Sequence, residues 1–429
     1  MKFREDFLHY LWRMKLFNLE DLKTVGDIPI EIIEFGEHNT NAGPDFLNAR
    51  IKIGDTLWAG NVEIHVKSSE WLKHRHQNDK AYDNVILHVV YQNDQAIQRE
   101  NGEKIAALEL RKRIPTHLTS QYLRLIQNED WIPCQYHFHK IPNITKSLVI
   151  DRMLTERLEG RVEVLQKALA ENGNNWEVSF YQRLAHNFGS KINTEPFEVL
   201  AKTTPLLTLA KHKDSLFQLE ALIFGQAGFL DADFEETYPN ELKKEYEFLQ
   251  KKYSLFPLMA SVWKFMRLRP ANFPTIRLAQ FAALIHQSTH LFSKILVAET
   301  LEDINALFQN IEVSEYWQTH YKFDKLSKSK PKKVGQTTIN ILVINTIVPF
   351  LFFYGREKGL IEYEDRAMKF LEQVGPESNH VIDKWKDLKY RPDNAYQTQA
   401  LLQLKRKYCD EKRCLECAIG HKILREEEA

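Results

Sequence analysis

The chain has 429 residues and balances 58 Lys+Arg against 58 Asp+Glu, so it is not a polycation, and any nucleic-acid contact has to use a local basic surface. Its 43% hydrophobic and 11% aromatic residues exclude a disordered chain, and the length exceeds one ordinary core, which predicts two or three domains. Four cysteines exclude a disulfide-stapled secreted fold, and Met1–Asp6 lacks the charged and apolar regions of a secretory signal; a cytoplasmic protein is expected.

In chain order, residues 3–19 carry Phe3, Phe7, Leu11 and Met14 at helical spacing. Strand-like runs follow at Ile30–Phe35, Phe46–Ile53, Leu57–Lys67, Val85–Tyr91 and Ile105–Leu110, with Gly54-Asp55-Thr56 as a hairpin turn. Ser68-Ser69-Glu70 reads as a helix start with a serine cap. Val85–Tyr91 is apolar on both faces except at His88, as expected of a strand covered on both sides. The order helix, three strands, helix, strand predicts a mixed α/β sandwich over residues 1–140.

A mostly α-helical domain is expected over 141–400, with helices at Asp151–Leu169, Leu206–Leu222, Leu242–Phe265, Ile276–Leu301 and Ile339–Tyr354. The last of these is the most apolar run. Asn340, Asn345 and Pro349 interrupt it and it is short for a span, so it reads as a buried helix, and no membrane contact is expected. Lys325–Lys333 reads as an exposed basic loop. Residues 401–429 form a small C-terminal segment bearing cysteines.

The chemistry-bearing residues concentrate in the first domain. Side chains alternate across a strand, so Glu63, His65 and Lys67 share one face while Val62, Ile64 and Val66 take the core face. With a three-residue hairpin loop, Asp45 falls opposite His65 and diagonal to Glu63 and Lys67. A two-residue loop flips that parity unless a bulge at Ala59-Gly60 restores it. Two carboxylates on adjacent strands suit Mg²⁺ or Mn²⁺, and a nearby lysine suits the charge of a phosphoryl group. The plain alternative is a solvated ion pair on an exposed strand. His65, His74, His76 and His88 lie within 24 residues, beside Asp79 and Asp83. His74 and His76, two apart on the expected helix, do not share a face, which weakens a zincin-like reading. They are read as phosphate contacts or proton carriers, and His88 as a core histidine or a group supporting a metal ligand from behind. A transition-metal hydrolase on His65, His88 and Glu63 is the minority reading.

Asp45 followed by Glu63-Ile-His65-Val-Lys67 resembles the signature of the PD-(D/E)XK nuclease superfamily, whose core runs helix, three-stranded meander, helix, strand. The resemblance implies that Asp45 and Glu63 hold metal, that Lys67 is the catalytic lysine and that Glu5 or Glu20 adds an acid. The spacing departs from the family, in which acid and lysine stand two apart; here that gives His65-Val66-Lys67. Asn41–Phe46, Gly60–Ser69 and Tyr82–Val90 also resemble a bacterial family defined only as a domain of unknown function, across most of the chain and with no implied activity.

Cys409-x4-Cys414-x2-Cys417 places three of the four cysteines within nine residues, a metal-binding spacing. Either His421 completes a zinc site, or Cys134 supplies a fourth thiolate for zinc or a [4Fe–4S] cluster, with a structural role. Arg267, Arg269 and Arg277, around Pro270 and Pro274, are candidate phosphate contacts. Trp71, Trp131 and Trp176 are read as core residues rather than base-stacking platforms. The expected function is metal-dependent hydrolysis of DNA or RNA, with Asp45, Glu63, His65 and Lys67 catalytic. The alternative is a non-catalytic nucleic-acid-binding or scaffold protein on a degenerate nuclease fold.

Overall fold

The computed structural model describes residues 4–288 and 290–426; Phe3, counted above on the first helix, lies outside them. The chain divides into two compact units, one of Met1–Asp151, Asp387–Lys389 and Gln403–Ala429, the other of Arg152–Lys386 and Tyr390–Leu402. The C-terminal cysteine segment thus belongs to the same unit as the N-terminal sheet.

The expected mixed α/β sheet and helical remainder are both present. The sheet has six strands: β1 (Ile30–Glu34), β2 (Glu37–His38), β3 (Phe46–Ile53), β4 (Thr56–Lys67), β5 (Val85–Gln92) and β6 (Ala107–Glu109), in the order β1-β3-β4-β5-β6, with β2 also on β3. The β1/β3 and β3/β4 pairs are antiparallel, β4/β5 and β5/β6 parallel. A parallel pair needs a crossover. Here it is the four-residue helix α2 (Glu70–Lys73) with two 3-10 turns, His76–Asn78 and Lys80–Tyr82. Val85–Val90 is buried without interruption, as expected of a doubly covered strand.

The first helix, α1 (Glu5–Met14), buries Phe7, Leu8, Tyr10, Leu11 and Trp12. It ends earlier than the apolar spacing suggests because Lys15 adopts a left-handed conformation (φ 54°) whose N–H closes the last turn. Phe7 stacks on Tyr122 of helix α3 (Thr116–Gln127), ring centroids 4.1 Å apart. Ser69 does not cap α2; its hydroxyl and N–H, with the Ser68 hydroxyl, bind the Asp94 carboxylate instead.

The β3/β4 hairpin decides the geometry of the site. Ile53 pairs with Thr56, so the loop is Gly54-Asp55, two residues rather than three. The register shifts between Ala49↔Gly60 and Phe46↔Val62. The bulge that restores parity is therefore on β3 rather than at Ala59-Gly60. Asn48 occupies it with φ 58°, a conformation Asn tolerates, and its N–H bonds Asn61 Oδ1.

Several helices of the second unit are broken where the sequence reads as continuous. Leu206–Leu222 is two helices, Leu206–Lys211 and Leu216–Gln226, divided before the Ser215 cap. Thr237–Tyr253 stops at left-handed Ser254, and Pro274–Gln287 and Leu291–Val297 replace the single helix expected over 276–301. The apolar helix runs over Gln336–Lys358 through a π turn at Val343–Ile347, with 78% of its most apolar stretch buried in the protein. Pro349 lacks the N–H that Asn345's carbonyl would accept in an α-helix; Asn187 Nδ2 donates to that carbonyl instead. The basic loop is not wholly exposed. Lys332 is 5% exposed, donates to the Gln318 and Lys330 carbonyls and lies over the Tyr321 ring.

Gly60 is where β4 meets the residue preceding β5. A Cβ there would lie 2.5 Å from both the Asn84 carbonyl oxygen and Ile86 Cγ2. Gly60→Ala is expected to lower unfolding stability by about 1–3 kcal/mol, read as a shift in the urea midpoint at unchanged slope.

Candidate functional site

Glu63, at 4% exposure, is the buried hub of a polar cluster on the first unit. The bulge puts Asp45, just before β3, opposite Glu63 rather than His65, and two hydrogen bonds tie Asp45 to β4. The Asp45 N–H donates to Glu63 Oε2 (3.2 Å) and the Ile64 N–H to Asp45 Oδ2 (2.8 Å). His65, one pleat on, is 1% exposed, with Nε2 3.6 Å from Glu63 Oε1 and 3.2 Å from His74 Nδ1. His76 Nε2 lies 3.3 Å from Glu63 Oε1, its ring stacked on Tyr82 at 3.8 Å.

His74 and His76 do share a face, against the helical reading. The helix stops at His74, and Arg75 turns through φ 63°, so the chain reverses and aims both rings at His65. From α1 come Glu5, whose Oε1 is 3.8 Å from His65 Nε2, and His9, whose Nε2 is 3.2 Å from Asp45 Oδ2. Sequence reasoning missed His9. The signal was there: Glu5 and His9 are four apart on one helix face, the spacing that brings side chains together. Glu20 lies past the end of α1 and is exposed.

His88 on β5 is fully buried, and its Nε2 is 2.8 Å from His65 Nδ1. A proton on His65 Nδ1 would leave its Nε2 with a lone pair facing Glu63 and His74, as a metal-binding imidazole needs, and would put the His88 proton on Nδ1, which is buried without a partner. His88 is thus the partner that orients His65. Lys67, at the end of β4, is exposed, and its N–H rather than its ammonium is engaged, by Glu70 Oε2. Residues two past the buried acid now read Glu63-Ile64-His65, with Lys67 a further pleat out.

Two sets of three side chains have donor atoms all within 4.8 Å of one another: His65, His74 and His76, and Glu5, His9 and Asp45. Glu63 lies beside them, its Oε1 near His65 and His76 and its Oε2 on the Asp45 N–H. Ligands about 2.1 Å from a common ion stand roughly 3–3.5 Å apart, so a cation would draw the looser of these donors inward. The three imidazoles suit zinc or another borderline transition metal, and the carboxylates with His9 also accept manganese; magnesium, an oxygen-liganded ion, matches only the acids.

The cluster's environment shifts its groups in both directions; against burial, the Asp45 carboxylate holds the His9 imidazole toward its charged form. Burial, with the neighbouring Asp45 charge, pushes the Glu63 carboxyl up to about 9, and burial with the same charge pushes Glu5 to about 7. Burial, with the surrounding imidazoles, lowers His65 to about 2, and burial with His76 lowers His88 to about 3. Neutral imidazoles are ready to ligate, and the carboxyls release their protons when a cation arrives.

The other predicted site residues fall elsewhere. Arg277 is 6% exposed and is spent inside the second unit on Gln280, Asn272 and Thr338, so it cannot grip phosphate; Arg267 and Arg269 are exposed. Trp71 is buried, Trp131 lies under Lys405, and Trp176 stacks on Phe292. Cys134, Cys409, Cys414 and Cys417 line one recess of the first unit, while His421 Nε2 bonds the Leu415 carbonyl oxygen. Burial pushes the Cys414 thiol up to about 12 and raises Cys134 and Cys409 as well.

The sign of the metal-free protein's pH dependence follows. Between about pH 6.5 and 8 the unfolded chain has released the Glu63 proton, whereas the folded protein retains it. Stability therefore falls as pH rises, by about 1.4 kcal/mol per pH unit for one such group. Urea unfolding of chelator-treated protein is expected to show this decline, and Glu63→Gln to flatten it. Added Zn²⁺ or Mn²⁺ reverses it for the wild type.

A family model described as "Protein of unknown function (DUF2851)" matches residues 5–380. No curated protein and no solved structure gives a significant match. With the whole cluster from Glu5 to His88 inside the matched span, the chain belongs to the DUF2851 family.

Proposed function

We propose that this protein is a metal-dependent phosphodiesterase that hydrolyses nucleic acid at the Glu63 cluster. The observation that carries the reading is the register of the bulged hairpin, which sets Asp45 and Glu63 side by side on one face. That is the disposition the PD-(D/E)XK resemblance implies for two metal-holding acids. The order helix, antiparallel strands, crossover and parallel strand supports the same reading.

Asp45, Glu5 and His9 would hold one divalent cation and His65, His74 and His76 a second, with Glu63 beside both sets. Such a cation would supply Lewis-acid polarisation of a phosphoryl oxygen and an activated water at neutral pH. The protein's own residues do the rest. His65, held by His88, takes the place two past the acid where the resembled family has its lysine. Lys67, Lys73, Arg75 and Lys80 are exposed around the two rim histidines and present positive charge to a phosphate backbone despite the zero net charge of the chain. Lys67 acts in this rim, holding substrate.

The test is cleavage of labelled single- and double-stranded DNA and RNA with Mg²⁺, Mn²⁺, Co²⁺ or Zn²⁺. Asp45→Ala and Glu63→Gln are expected to lower the rate by about 10³-fold or more. Lys67→Ala is expected to raise KM and spare kcat. Metal-independent binding without cleavage of any substrate would replace this reading with the non-catalytic one.

A further inference from the structure

We propose that Cys134, Cys409, Cys414 and Cys417 bind one thiophilic metal centre through four thiolates, fastening the C-terminal segment to the N-terminal unit. The inference concerns a site apart from the Glu63 cluster and does not depend on the hydrolytic reading.

The four cysteines are all that the chain has, and they converge. Cys134 lies in the turns after α3, and the other three lie 275 or more residues later, yet all four line the same recess. Cys134 and Cys414 are 9% and 8% exposed. Four thiols from distant parts of the sequence lining one recess are the donor set of a structural metal site.

The segment carrying three of them is shaped around that recess. Cys409 ends a π turn, left-handed Lys412 (φ 53°) reverses the chain, and Cys414 opens a 3-10 turn that delivers Cys417 to the start of the helix Ala418–Arg425. Gly420, on the first turn of that helix, permits the close approach: a Cβ there would lie 2.0 Å from the Cys414 carbonyl oxygen. Lys412 Nζ donates to the Ile126 carbonyl at the end of α3, and Lys405 pairs with Asp410 over the Trp131 ring, so cationic groups border the thiolates.

His421 is not among the residues that line the recess. Its ring packs 5.1 Å from Tyr10 of α1. That contact, with Gln121 Nε2 bonding the Glu426 carbonyl, sets the C-terminal helix against α1 and α3. Because α1 carries Glu5 and His9, the thiolate centre buttresses the helix that completes the Glu63 cluster. A clip joining residues this distant in sequence removes much entropy from the unfolded chain.

The experiment is metal and sulfide analysis of full-length protein purified without oxygen, beside Cys134→Ser, Cys414→Ser and His421→Ala. One equivalent of zinc, or iron with matching acid-labile sulfide and a broad visible absorption, is expected to disappear from both cysteine variants relative to wild type. It should remain in His421→Ala. The two metals distinguish a zinc site from an iron–sulfur cluster, and either supports the centre. Retention of that equivalent in Cys134→Ser, or its loss from His421→Ala, overturns the four-thiolate assignment. Should the cysteine variants fail to fold, alkylation of native wild type decides: all four thiols are expected to be protected until a chelator or acid strips the metal. Four thiols that react at once in untreated protein overturn the proposal.

Discussion

The pair of hydrogen bonds that ties Asp45 to Glu63 and Ile64 is the constraint on which the first unit's chemistry depends. A carboxyl group at 4% exposure is costly unless its oxygens find donors. Glu63 finds one in the Asp45 N–H, and Asp45 in turn accepts from the Ile64 N–H. These bonds take the place of a regular ladder where β3 starts, and they hold only in the register that the Asn48 bulge creates. A slip of one residue would turn Glu63 and His65 into the opposite layer and bring Val62 and Ile64 out. The same bulge that corrects the register therefore fixes which side chains can meet.

Around this pair the cluster is assembled from separate pieces of chain: α1, the lead into β3, β4, the turn after α2, and β5. No single segment holds a complete set of donors. The His65–His88 contact couples two parallel strands, and the Arg75 turn brings the exposed His74 and the half-buried His76 back over the buried His65. Packing forces Glu5 and Glu63 toward their protonated form and His65, His76 and His88 toward their neutral form, while His9, beside Asp45, is held toward its charged form. A divalent cation relieves both effects at once, which is why the cluster reads as a metal site rather than a set of surface ion pairs.

Much of this was legible in the sequence, for reasons that also mark where legibility stopped. Period-two alternation placed β3, β4 and β5 within a residue or two and singled out Asp45, Glu63 and His65. The bulge could be anticipated as a need of parity, but its position depended on Asn48 accepting a left-handed conformation. His74 and His76 were misjudged because helical spacing was carried across Arg75, where the backbone reverses. Arg277 looked like a phosphate contact because a charged residue carries no sign in the sequence of the buried amides waiting for it. The long helices were drawn too long at Ser215, Ser254 and the stretch after Gln287, where caps and left-handed residues outweigh apolar periodicity. For the cysteines, spacing alone left Cys134 and His421 equal; only the fold, by bringing Cys134 and not His421 to the recess lined by the other three thiols, separates them.

The most direct measurement is anomalous diffraction from crystals of the protein soaked in Co²⁺ or Mn²⁺. A peak bounded by Glu63, His65 and His76, or by Asp45, Glu5 and His9, is predicted, and it should vanish in Glu63→Gln. Crystals that bind the ion elsewhere, with no density at either set of donors, would contradict a metal centre at Glu63.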